Sequence, residues 1–245
     1  MKHSHADKQL VYGIQPMFEA IAANKEFERI YIVKEQKNDQ LNELNKLIRE
    51  KRLPVHHVPI HKLNKLTRGN HQGIVAFLSV IPNVSINEIV TRTFENGEDP
   101  KILVLDGITD VRNFGALSRS ALAFGFHAIV APHKGSALIH QDAVKASAGA
   151  LMKIPVARVF SLYHTLEEMK NMGIQIVGIT EKGQKNIDQV EKSGPMALVL
   201  GNEETGIDYR NLEMCDQSCF IQISPQIDSL NVSVAGAIAM YEMSK

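Results

Sequence analysis

Apolar positions along residues 9–80 recur in two alternating rhythms, one of period two and one near 3.6. QLVYG (9–13), FERIYIVK (27–34), PVHHVP (54–59) and QGIVAFLSV (72–80) read as strands, being short and rich in β-branched and aromatic residues. Between them IQPMFEAIAAN (14–24) is amphipathic, and DQLNELNKLIREKR (39–52) places Leu41, Leu44, Leu47 and Ile48 at helical spacing. HKLNKLTRGN (61–70) reads as a helix closed near Gly69. The pattern predicts a compact α/β unit over 1–80. Residues 81–100 break the rhythm with two prolines and a Gly-containing acidic end, which predicts a linker holding one short helix, SINEIVTRTF. From 101 to 245 the rhythm returns with more apolar strands: KILVLDG, HAIVAP, PVARV, QIVGIT, MALVLG and CFIQIS. Near-continuous apolar strands separated by helix-length segments predict a parallel sheet covered on both faces. Ligands in such sheets bind beyond the carboxyl ends of the strands, so attention falls on the loops directly after LVLDG, LVLG and IQIS.

Charge is uneven along the chain. Residues 1–80 hold 13 Lys and Arg against 8 Asp and Glu, and the remainder holds 14 against 19, so a polyanion would meet the N-terminal third. No apolar run is long enough for a membrane helix, and the polar start MKHSHADKQL lacks the apolar stretch of a secretory signal. Two cysteines, Cys215 and Cys219, build no disulfide framework and fit a reducing, cytoplasmic setting. Neither a G-x-G-x-x-G after a strand, nor a P-loop, nor a Gly-x-Ser-x-Gly elbow occurs. Cys215 and Cys219 lack a second ligand pair, and His56 and His57 would point to opposite faces of a short strand, so no metal site is expected.

Three loops carry polar chemistry at strand ends. In LDGITDVRNFGALSRSA (105–121) a strand ends at Asp106 and a helix begins near Asn113, which suits an N-cap. Phe114, Leu117, Ala121 and Phe124 share one face of that helix, leaving Arg119 on the other, where it could hold a phosphate. In LVLGNEETGI (198–207) Gly201 would let the backbone approach a ligand closely, followed by Glu203 and Glu204. In FIQISPQIDSLNVSVAGAIAMYE (220–242) Ser229 and Asn231 stand at the mouth of a helix rich in small residues.

Taken together, N-x₅-R, then G-x-E-x-x-G, then S-L-N-V-S, in this order, resemble the three motifs of the SpoU/TrmH (SPOUT) family of RNA 2′-O-methyltransferases. VYGIQPMFEAI and HQGIVAFL resemble the N-terminal substrate-binding domain of members that act on ribosomal RNA, a domain similar to small ribosomal RNA-binding proteins. The resemblance implies a C-terminal parallel-sheet domain with a trefoil knot (101–245), an N-terminal RNA-binding domain (1–80), a homodimer, and S-adenosylmethionine as methyl donor. It implies a polar catalytic set of Asn113, Arg119, Glu203, Ser229 and Asn231, with the cofactor held through backbone at Gly201, Ile221 and Leu230. Glu204 stands where the second motif usually has Gly, and Gln222 and Pro225 where the third usually has Pro and Gly. The implied substrate is a guanosine ribose in the peptidyl-transferase region of 23S ribosomal RNA; a transfer-RNA ribose, or RNA binding without turnover, are the alternatives. A sulfonium methyl is already activated, so the acceptor hydroxyl needs alignment and proton loss. The family proposal makes Arg119 the general base, whereas a guanidinium that stays protonated suits holding the neighbouring phosphate.

Overall fold

The computed structural model describes residues 10–34 and 38–245; the polar start expected to lack a signal lies, except for Leu10, outside the described residues. The chain folds as two units that divide between Val80 and Ile81.

In the first unit the order is β1 (Leu10–Tyr12), α1 (Ile14–Ala22), β2 (Phe27–Val33), α2 (Asp39–Glu50), β3 (Val55–Val58), α3 (Ile60–Leu66) and β4 (Ile74–Leu78). The sheet runs β1-β4-β2-β3, with β4 antiparallel to β1 and β2, and β3 parallel to β2. Alternation along β2 and β4 sends Ile30, Ile32, Ile74 and Ala76 onto α1 and α2, whose Met17, Leu44 and Ile48 are fully buried. The opposite face is narrower: Leu63 of α3 packs on Tyr31, Val58 and Val75.

The second unit runs α4 (Ile86–Glu95), β5 (Lys101–Leu105), α5 (Val111–Ala123), β6 (Ala128–Pro132), α6 (Gln141–Ala146), β7 (Val156–Val159), α7 (Leu162–Asn171), β8 (Gln175–Ile179), β9 (Lys185–Asn186), β10 (Met196–Leu200), α8 (Tyr209–Glu213), β11 (Gln217–Phe220) and α9 (Val232–Met243). Its sheet is parallel throughout, ordered β7-β6-β5-β10-β8-β11-β9. Ile102, Val104, Ala197 and Val199 face a core shared with α4 and α7, while Leu103, Leu105, Leu198 and Leu200 alternate to the side where α5 and α9 lie. Gly236 of α9 seats the helix: a Cβ there would lie 2.4 Å from Leu117 and 2.6 Å from Leu200.

Three elements differ from the sequence pattern. The segment 81–100, expected as a linker, carries the expected short helix, but α4 buries Ile86, Ile89 and Val90 in the second unit's core. Its Ser85 cap, accepting from Glu88 N at 3.2 Å, makes it a proper amphipathic helix despite the flanking prolines. The run CFIQIS leaves the sheet at Phe220, so Ile221 and Ile223 spend their apolar side chains on a cavity instead of a ladder. The two-residue β9 is too short to register as a period.

Candidate functional site

The carboxyl ends of β5, β10 and β11 open on one edge, and the three polar loops converge there. The first loop is capped by Asp110, not Asn113: its carboxylate accepts from Arg112 N at 2.8 Å and Asn113 N at 3.0 Å. Asn113 therefore sits inside the first turn, which frees its side chain to face the neighbouring loops. The hydrogen bond from the Asn113 N–H holds the Asp110 carboxyl below its ordinary value. A depressed acid contributes stability above its unfolded value, near pH 4, and loses it as pH falls through the lower folded value. Asp110→Ala is expected to cost about 1 kcal/mol in urea unfolding at pH 7, with the difference from wild type vanishing in strong acid.

The second loop turns back on itself. Asn202 and Gly206 exchange backbone hydrogen bonds at 3.0 and 2.8 Å. A Cβ on Gly201 would lie 2.1 Å from the Gly206 carbonyl carbon and from Ile207 N, so glycine is required by the chain's own turn rather than by approach to a ligand. The positive φ of the turn falls on Gly206 (+71°). Glu204 is not among the positive-φ residues, which explains why a side chain is tolerated where the family motif has glycine. Three hydrogen bonds invisible to motif reading moor this loop and the start of α8 to the first. Asp106 Oδ2 accepts from Asp208 N at 2.7 Å and Asn211 Nδ2 at 3.0 Å, and Asn202 Nδ2 donates to the Gly107 carbonyl at 2.8 Å. The only local signal was an Asp directly after a buried apolar strand.

The third loop ends at Asn231, the N-cap of α9, whose Oδ1 accepts from Ser233 N at 2.9 Å. With Oδ1 turned to the helix, Nδ2 must face outward, and it donates to Glu203 Oε1 (2.7 Å) and Asn113 Oδ1 (3.2 Å). Asn113 Nδ2 closes the triangle on Glu203 Oε1 at 2.8 Å. One oxygen of Glu203 thus joins residues 90 positions before it and 28 after it. Its other oxygen makes no hydrogen bond among the described residues.

Beside the triangle lies a cavity of about 400 Å³ whose walls include Gly201, Glu203, Ile221, Ser229 and Leu230. The volume is within the range of small-molecule sites. The backbone N–H and C=O groups of half-buried Ile221 and Leu230 make no hydrogen bond among the described residues, so each offers a donor and an acceptor to an occupant. Gln222 points elsewhere, accepting from Asn186 Nδ2 at 3.4 Å. Arg119 is not in the triangle. It is exposed on α5 and makes no hydrogen bond or ion pair among the described residues. Six residues separate it from Asn113, about 9 Å along the axis and on another face. Burial pushes the Cys215 thiol up to about 12 and the Cys219 thiol up to about 11, so neither is a nucleophile at neutral pH. Among the described residues no group of three or more His, Cys, Asp or Glu is placed to hold a metal, and no helix is long and apolar enough to cross a membrane.

A parallel sheet with polar loops gathered on its carboxyl edge around a cavity of small-molecule size defines an α/β protein with a candidate ligand site at that edge. Residues 100–241 match the SpoU rRNA methylase family, and residues 10–81 match the RNA 2′-O ribose methyltransferase substrate-binding family. The chain belongs to the SpoU methylase family. It is 31% identical over 233 residues to the Bacillus subtilis protein named "Putative TrmH family tRNA/rRNA methyltransferase YacO", covering 95% of this chain and 94% of that one. Among solved structures, the SpoU methyltransferase AviRb from Streptomyces viridochromogenes in complex with AdoMet shares the fold: TM-score 0.60, 23% identity, 96% of this chain and 88% of that one. The A. aeolicus TrmH/SpoU tRNA modifying enzyme aligns at TM-score 0.54 and 28% identity, over 64% of this chain and 82% of that one.

Proposed function

We propose that this chain transfers a methyl group from S-adenosylmethionine to the 2′-hydroxyl of a guanosine in the peptidyl-transferase region of 23S ribosomal RNA. The observation that carries the reading is the Asn113–Glu203–Asn231 triangle on the rim of a cavity where the backbone groups of Ile221 and Leu230 have no partner among the described residues. AviRb binds AdoMet in the same fold, which supports that cofactor here. S-adenosylmethionine, when bound, supplies a methyl group already activated on a sulfonium. Ile221, Leu230 and Gly201 would hold it through backbone and apolar wall. Glu203, locked by two amides, and Ser229 on the cavity wall would orient the ribose hydroxyl, and positioning of this kind is worth up to roughly 7–11 kcal/mol in favourable systems. Arg119, without a partner among the described residues, would hold the phosphate beside the target ribose, with the hydroxyl proton passing to that phosphate or to water. The N-terminal unit, residues 1–80, would grip the RNA.

The same reading includes the family's knot and a homodimer. Val234, Ile238 and Tyr241 form an exposed apolar stripe along α9 at spacings of four and three, with the Tyr241 ring 5.7 Å from that of Phe124. Covering that stripe with a second copy removes it from water. Ile238→Glu is expected to convert a dimer to monomer in size-exclusion chromatography with light scattering; an unchanged mass assigns the stripe no such role.

The test of the activity is incubation of the protein with radiolabelled S-adenosylmethionine and, separately, unmodified 23S ribosomal RNA and transfer RNA, followed by mapping of the labelled ribose. Label on a 23S guanosine ribose is expected. Label confined to transfer RNA, or none on either RNA, overturns the assignment.

A further inference from the structure

Strands β6 and β7 run parallel to β5 and end, at Pro132 and Val159, on the same edge as the candidate site. The residue after β7 is Phe160, which is 67% exposed. Its flat apolar face is therefore open to solvent on the edge where the polar loops gather. It is also held in place: its centroid lies 4.8 Å from that of His133, tilted by 40°, and His133, next after β6, is only 7% exposed. The next residue, Lys134, is exposed and makes no hydrogen bond or ion pair among the described residues. The loop that carries them is fastened to the first site loop, since Ala137 N donates to the Ile108 carbonyl at 2.7 Å. With neighbouring strands about 4.8 Å apart, Phe160 stands roughly 10 Å from the end of β5, within reach of the same bound strand.

We propose that Phe160, backed by His133, is a stacking shelf for an unpaired nucleobase of the RNA near its methylated nucleotide, with Lys134 meeting the adjoining phosphate. The proposal rests on the RNA-methylating reading above. A flat apolar face next to an exposed cation is the chemistry that single-stranded RNA recognises: the ring takes a base of any identity, and the cation takes the backbone. A purely apolar partner would leave Lys134 uncompensated.

The chain contains no tryptophan, so Phe160→Trp introduces a sole reporter on the shelf. Its fluorescence is titrated in the full chain with a short single-stranded RNA of mixed sequence and with an abasic ribose-phosphate strand of equal length and charge. Quenching by the base-bearing strand and little by the abasic one is expected. In methyl transfer, Phe160→Leu, which keeps apolar bulk but loses the flat ring, should raise the RNA KM about tenfold, the scale of one base stack. The KM for S-adenosylmethionine should stay put, and Phe160→Tyr should return the RNA KM to wild type. Equal responses to both strands, a wild-type RNA KM in Phe160→Leu, or a blue-shifted emission indifferent to RNA overturns the shelf; the last would mean the ring packs against protein. If the wild-type chain methylates no RNA, the functional reading fails by itself, while the quenching comparison still decides the shelf.

Discussion

Arg119→Ala is expected to lower kcat for methyl transfer by roughly 10²-fold, the scale of misplacing a reacting group once the phosphate that positions the ribose is no longer held. Binding of S-adenosylmethionine and the thermal midpoint should both stay at wild-type values. The split arises from the site: Arg119 is exposed and engages no other described side chain, so its removal breaks nothing in the fold and should shift stability by no more than about 0.5 kcal/mol. Arg119→Lys should recover only part of the rate, because an ammonium keeps the charge and loses the planar fork that grips a phosphate. Initial rates with tritiated cofactor, calorimetric cofactor binding and thermal melts on the same samples check all three. A wild-type rate in Arg119→Ala would remove the residue from the mechanism.

Gly201→Ala acts through the opposite route. Its Cβ would sit 2.1 Å from backbone atoms of Gly206 and Ile207, which cannot rotate away as a side chain could. The turn must open, and with it the backbone pairing of Asn202 and Gly206 and the position of Glu203. Overpacking of this kind costs about 1–3 kcal/mol or more, so the urea midpoint should fall and cofactor binding should be largely lost. Gly206→Ala is the control. It carries φ of +71°, but an added Cβ would meet nothing within 4 Å, so only backbone strain is at stake, about 1 kcal/mol. Equal losses in the two variants would show that strain, not the close approach, governs this turn.

Much of the architecture is legible in the residues because it is local. Five of the six apolar runs of the second unit form strands as read, the sixth only through Cys219 and Phe220, and α5 buries Phe114, Leu117 and Ala121 on the face their spacing predicted. Local signals misled where two readings fit one pattern. Asn113 and Asp110 are both good caps three residues apart, and the backbone chose Asp110, leaving Asn113 for the site. Ile221 and Ile223 alternate like a strand, yet line a cavity, because an apolar wall satisfies them as well as a neighbouring sheet layer would. In 81–100 the prolines and acidic end masked the stripe of Ile86, Ile89 and Val90 that joins the core.

By itself the sequence determined which segments become strands and helices, which faces turn inward, and which polar residues sit at the strand ends. These are matters of neighbours one to four positions apart. Only the tertiary structure decided that β10 inserts between β5 and β8, and that Asn113 and Asn231 share one oxygen of Glu203 while Arg119 stands apart. Parallel strands buried on both faces look alike in composition, so their lateral order is set by contacts between residues tens of positions apart, which no local period encodes.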